Sequence, residues 1–216
     1  PGLGDQPGEG NGRMKVIRAK DERRRVLYVG PPGCGSIEKA HQLARESTLW
    51  KGREVEQSYI YRVSGAQLPA HEMNRAIPAG GFRAPHYTVN PMQMEGSLRG
   101  HLFRPGELHL AHGGVLHLEM VNEFLPSVIR CIHEAWTKGW TMHVSRSELC
   151  RIDNHLAVPT YFTLTMFTTP CPCGWRGIDG RECRCTERQV DSWHARGRAL
   201  TDDAERIELS AGKVTT

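Results

Sequence analysis

Two clusters of residues have the types and spacing for chemistry. The first is Gly30-Pro31-Pro32-Gly33-Cys34-Gly35-Ser36-Ile37, which follows the apolar run Val26 to Val29. A strand, a glycine-rich turn and a helix in that order form a phosphate-binding loop of pattern G-x-x-x-x-G-K-[ST]. Gly30, Gly33 and Gly35 stand where such a loop needs glycine. The lysine that would meet the β and γ phosphates is Ser36, and the hydroxyl that would bind Mg²⁺ is Ile37. The backbone part of the cradle survives these changes, because N–H groups and the helix dipole need no particular side chain. A tight strand-to-helix turn with no ligand is an equal alternative, so ATP and Mg²⁺ stay open.

The second cluster is Cys171-Pro172-Cys173 and, nine residues later, Cys183-Arg184-Cys185. Four thiolates in two pairs suit a closed, tetrahedral, structural zinc site. Two disulfides or unligated thiols are the alternatives. The chain has seven cysteines. An odd total, with four packed together, points to metal in a reducing, cytoplasmic compartment. Cys34, Cys131 and Cys150 stand alone and read as ordinary thiols.

A third group lies around the run Val115 to Leu118, which ends in Glu119. A carboxylate after such a strand can hold Mg²⁺. Met120, next in line, can neither accept nor orient a proton. His109, His112 and His117 are close by in sequence. A separate metal site there is the weaker reading, because His117 and Glu119 share one strand face while the other two precede a Gly-Gly turn.

These groups need a scaffold. With 216 residues, 38% hydrophobic and 24% charged, the chain suits one soluble domain with tails. Its formal charge of +4 permits only weak attraction to nucleic acid. No run is long and apolar enough to span a membrane, and no secretory leader is visible. Residues 1–24 read as a flexible, basic tail and 211–216 as a second tail. Arg23 to Arg25 could meet phosphates, but a solvated entry to the first strand is favoured. Between the tails, strands are expected at 26–29, 58–63, 115–119, 161–167 and 206–209. Helices are expected at 36–48, around 128–136 and at 187–198, and a hairpin arm at 140–145 pairs with 148–157. The stretch 65–100 reads as turn-rich.

Taken together, VGPPGCG, YRVSG (61–65), FRAPHYT (82–88), PGELHLAHGGVLHLE (105–119), NEFLPSVI (122–129), SRS (145–147), PCPCG (170–174) and CRCTERQV (183–190) resemble one family. It is the AAA+ module of the magnesium-chelatase I-subunit family, in its competence-type (ComM/YifB) branch. The resemblance implies a P-loop, three-layer α/β sandwich with a five-stranded parallel sheet over residues 25–210. It implies ring assembly, as a homo-oligomer or with related AAA+ subunits, and ATP hydrolysis, in one branch on DNA. Carried over by position, Glu119 and Met120 fill the Walker B pair and Thr169 replaces a sensor asparagine. Arg206 is the remnant of a neighbour-sensing arginine. The family's helical lid and protease-like domain are not expected in these residues. The reading that follows is a pseudo-ATPase scaffold. A divergent ATPase and a zinc-stabilised nucleic-acid binder, using Arg23 to Arg25 and the arginines from Arg176 to Arg188, are the alternatives.

Overall fold

A computed structural model describes residues 23–47, 51–64, 81–100, 102–146, 153–178 and 181–210. The expected tails, apart from residues 23 and 24, lie outside these residues, as does Cys150.

Five parallel strands form the central sheet: β1 (Arg25–Val29), β2 (Phe82–Arg83), β5 (Val115–Leu118), β8 (Thr163–Thr168) and β9 (Glu205–Glu208). Their order is β2-β5-β8-β1-β9. The inner strands β5 and β8 are buried at every residue, as expected for a parallel sheet covered on both faces. On one face Leu27, Val29, Leu116, Leu118, Leu164 and Met166 form the larger core. That core is closed by α3 (Pro91–Glu95), α4 (Glu107–Leu110), α5 (Pro126–Lys138) and α6 (Glu187–Thr201). On the other face Val26, Tyr28 and Phe167 pack against Ala40 and Leu43 of α1 (Ser36–Glu46). The result is the expected three-layer α/β sandwich.

The five-strand count holds, but one member differs. The segment 58–63, expected as a strand, lies in α2 (Glu54–Val63). Its aromatic and β-branched residues favour a strand locally. However, Gln57 and Ile60 are buried and Val63 is partly covered, at a spacing of three, which is one face of a helix. Ile60 packs with Phe103 and Val158, so tertiary contact overrides propensity. The missing strand comes from within the turn-rich stretch, where Phe82 and Arg83 pair with Val115 and Leu116.

Two antiparallel hairpins project from the sandwich. One joins β3 (Gly96–Arg99) to β4 (Leu102–Pro105), and the other joins β6 (Trp140–Arg146) to β7 (Asp153–Pro159). The second is the expected hairpin: its first arm runs one residue past 145, and its second arm, expected at 148–157, is described as a strand from Asp153 to Pro159. Its inner side mixes apolar and polar groups: Val158 and Leu156 join Ile60 and Phe103, while Thr141 Oγ1 meets both His109 Nε2 (2.8 Å) and His143 Nε2 (2.9 Å).

The arginines at the entry to β1 are engaged within the molecule. Arg23 and Arg25 lie over the Trp136 ring, and Arg24 pairs with Glu205 at 2.7 Å.

Candidate functional site

In the sheet β1 runs between β8 and β9, so its carboxyl end opens at the point where ligands bind in open α/β sheets. The glycine loop leaves from that end. Gly33 (φ 77°) and Gly35 (φ 84°) are left-handed, a conformation that favours glycine. Gly30 is glycine for another reason: a Cβ there would lie 2.6 Å from the Leu209 carbonyl oxygen at the end of β9. Cys34 N donates to the Pro31 carbonyl, which closes the turn. Burial pushes the Cys34 thiol up, so it does not act as a thiolate. Gly35 caps α1 without a side-chain acceptor, and the first N–H groups of the helix point out of the turn.

The side chains inside this cradle have a different pattern from a nucleotide site. Ser36 is buried, and its Oγ donates to Glu119 Oε2 at 2.9 Å. The same carboxylate oxygen lies 2.9 Å from His117 Nε2. His117 Nδ1 is in turn 3.0 Å from Thr165 Oγ1 on β8. Phe82 stacks between His41 and His117, with centroid distances of 3.7 and 6.4 Å. Four side chains from α1, β5 and β8 thus form one hydrogen-bonded chain. Ile37, which replaces the hydroxyl, is partly exposed. Met120 has φ 57° and packs against the α1-side core.

His117 and Glu119 meet as their shared strand face requires. His109 and His112 are elsewhere and are buried. His109 Nδ1 accepts from Gly106 N, so Nε2 carries the proton and donates to Thr141. Burial, with His143 and His112 nearby, pushes His109 down to about 3. His112 Nδ1 accepts from Tyr161 N, and its Nε2 lies 3.0 Å from Glu56 Oε2. Burial pushes His112 down, and the contact with His112 lowers Glu56. Sequence reasoning missed both networks, because their partners Thr141 and Glu56 are distant in sequence.

The four cysteines do come together. Sγ distances are 3.3 Å (Cys171 to Cys173), 3.6 Å (Cys171 to Cys183) and 3.7 Å (Cys173 to Cys183). All four sulfurs, Cys185 included, lie within 4.8 Å of one another. Zn–S bonds of about 2.3 Å in a tetrahedron require sulfurs about 3.8 Å apart, so this spacing fits a metal thiolate site. It is the one group of three or more such ligands among the described residues. Arg176 N donates to Cys171 Sγ, and the backbone N–H of Trp175 with the neighbouring thiols holds Cys173 down to about 6, while Cys183 and Cys185 are pushed up, Cys185 to about 12, by burial and the neighbouring thiols.

This loop touches the glycine turn. Gly174 (φ 85°) leaves 3.0 Å between the position of a Cβ and Pro32 Cδ. Thr169 is buried, and its hydroxyl donates to the Cys171 carbonyl. Its own carbonyl accepts from Trp193 Nε1 at 3.1 Å. The Thr169 hydroxyl is therefore turned into the cysteine loop.

The family model for magnesium chelatase, subunit ChlI, matches residues 8–212. This chain belongs to the ChlI family. Uncharacterized protein YifB of Escherichia coli (strain K12) is 27% identical over 188 residues, 87% of this chain and 35% of YifB. Competence protein ComM of Haemophilus influenzae is 27% identical over 173 residues, 80% of this chain and 32% of ComM. The chain thus spans about a third of the length of these relatives. Among solved structures, NtrX from Brucella abortus is similar at TM-score 0.48 and 14% identity, over 88% of this chain and 32% of NtrX. The ChlI-family chain holds the sheet, the glycine turn and the paired cysteines together among its described residues. No helix among its described residues is long and apolar enough to cross a membrane.

Proposed function

We propose that this ChlI-family chain is a pseudo-ATPase, a Mg-chelatase-like AAA+ module used as a scaffold or interaction unit. The observation that carries this is the hydrogen bond from Ser36 Oγ to Glu119 Oε2. Where an ATPase aims a lysine at phosphate and a carboxylate at Mg²⁺, these two side chains satisfy each other. Glu119 is further occupied by His117. No lysine, no loop hydroxyl beyond Ser36 and no acid at Met120 stand ready to bind charge that develops during phosphoryl transfer. Removing even one such donor typically costs about 10²–10³ in rate.

The cysteine loop holds structural zinc in this reading. Four protein ligands leave no open position, so the metal supplies folding energy and no chemistry. Through Gly174 and Pro32 it also braces the empty-handed turn.

A divergent ATP-binding module, working in a ring on DNA, is the second reading. The retained left-handed glycines and uncapped first turn of α1 favour it, because backbone alone can hold a phosphate. The nucleic-acid alternative loses support from Arg23 to Arg25, which face aromatic rings and Glu205.

Calorimetry with Mg²⁺-ATP, paired with a phosphate-release assay, separates the readings. The pseudo-ATPase gives no steady release above the uncatalysed rate. Micromolar binding with turnover that is lost in Glu119→Gln establishes the second reading instead.

A further inference from the structure

A cleft of about 440 Å³ lies between the 3₁₀ turn η1 (Val121–Glu123), α6 and the cysteine loop. It is within the size range of small-molecule sites. Trp193 and Pro172 provide apolar surface, and Arg188, Ser192, Arg196 and Glu123 provide polar groups.

The walls are fixed. Asn122 Nδ2 donates to the Trp193 carbonyl, pinning η1 to α6. Gly197 allows close approach to Val121, with 3.4 Å from the position of a Cβ to Val121 Cγ1. The Trp193 indole donates to Thr169 O, and His194 Nε2 donates to Pro170 O at 3.1 Å, which pins α6 to the start of the cysteine loop. A preformed site avoids the ordering cost of assembling one on binding.

The charges in the cleft are unspent. Arg188, Ser192 and Arg196 recur every four residues and so lie along one side of α6. Neither arginine has an acidic partner among the described residues, whereas Arg176 and Arg198 nearby are paired with Glu187 and Asp202. Eight residues of helix separate the two arginine Cα atoms by about 12 Å. Two long guanidinium arms over that distance can converge on one group or straddle two. Guanidinium forks match carboxylate and phosphate oxygens in geometry and charge.

We propose that this cleft binds a small polyanion carrying two phosphate or carboxylate groups. Arg188 and Arg196 each take one oxyanion, Ser192 donates a hydrogen bond, and the ligand body lies on Pro172 and Trp193. Glu123, on the opposite wall, accepts from a hydroxyl or amine of the ligand. The site does not depend on the proposed loss of hydrolysis.

The test is calorimetric titration of the purified chain, metal retained, with fructose 1,6-bisphosphate and with glutarate as two probes. Saturable binding of at least one is expected, and the stronger probe tells phosphate from carboxylate preference. Arg188→Ala with Arg196→Ala weakens it by at least about tenfold, since each charge-assisted contact is worth that much. Both arginines are exposed, so the fold tolerates the change, and an unchanged melting temperature checks this. Absence of saturable binding by both probes up to millimolar concentration overturns the proposal. So does binding that survives the double variant.

Discussion

Ser36 Oγ donates to Glu119 Oε2 at 2.9 Å across 83 positions of sequence, joining the start of α1 to the end of β5. Both residues stand at positions that handle Mg²⁺-nucleotide in an active loop of this kind. Ser36 brings no positive charge to the lysine position, and its hydroxyl is spent on Glu119.

Repair of the loop tests that relationship. Ser36→Lys with Ile37→Thr restores the pattern G-x-x-x-x-G-K-[ST] and frees Glu119 from one partner. The repaired chain is expected to bind Mg²⁺-ATP at least about tenfold tighter than the parent, since a charge-assisted contact to phosphate is worth that or more. Calorimetry on both proteins checks it. Release of phosphate stays low, because Met120 still lacks a proton acceptor.

Metal content tests the cysteines. The expected stoichiometry is one zinc per chain by elemental analysis, lost in Cys171→Ser or after strong chelation. Removal lowers the melting temperature, because binding energy at such a site is folding energy. Hydrogen exchange at 30–36 rises at the same time, since Gly174 no longer presses on Pro32. A metal-free protein with unchanged melting and exchange refutes the assignment.

Acid sensitivity follows from His109. Its folded value is about 3, against 6.5 in an unfolded chain. Between these values the unfolded state carries the extra proton, so stability falls as pH drops from about 6.5 towards 3. Above 6.5 this group makes no difference. The limiting slope is about 1.4 kcal/mol per pH unit. Urea unfolding at pH 8, 6.5 and 5 measures it, and His109→Gln flattens the lower part of the curve relative to the parent.

Gly30→Ala separates packing from ligand contact. The added methyl meets the Leu209 carbonyl oxygen at 2.6 Å and forces β1 and the end of β9 apart. A loss of about 1–3 kcal/mol is expected from overpacking, with or without nucleotide present. Thermal unfolding in both conditions reads it.

The parts of this fold that sequence displays are those with local signals. The apolar run into three glycines placed β1, the turn and α1. The recurrence of Val128, Ile129, Ile132 and Trp136 placed α5, whose buried face is Val128, Ile129, Ile132 and Ala135. Cys171, Cys173, Cys183 and Cys185 displayed their site by pairing alone. Ser58 to Val63 misled, because alternating aromatic and β-branched residues carry no record of Phe103 and Val158, the partners that select a helix. Phe82–Arg83 was hidden for the opposite reason: two residues are too few for any period to show. In the site, Glu119 and His117 were visible as neighbours on one strand face. The bond to Ser36 and the support from Thr165 were not, since contacts between distant strands and helices leave no spacing to read.

The outer strands also limit how copies of this molecule can meet. Among the described residues, one margin of the sheet is a strand of only two residues, and at the other β9 displays exposed Glu205, Arg206 and Glu208 around half-buried Ile207. A brief or heavily charged margin is a poor template for main-chain annealing. Among the described residues the sheet therefore offers no long apolar edge at either margin, and a second copy approaching there meets charged side chains before main chain.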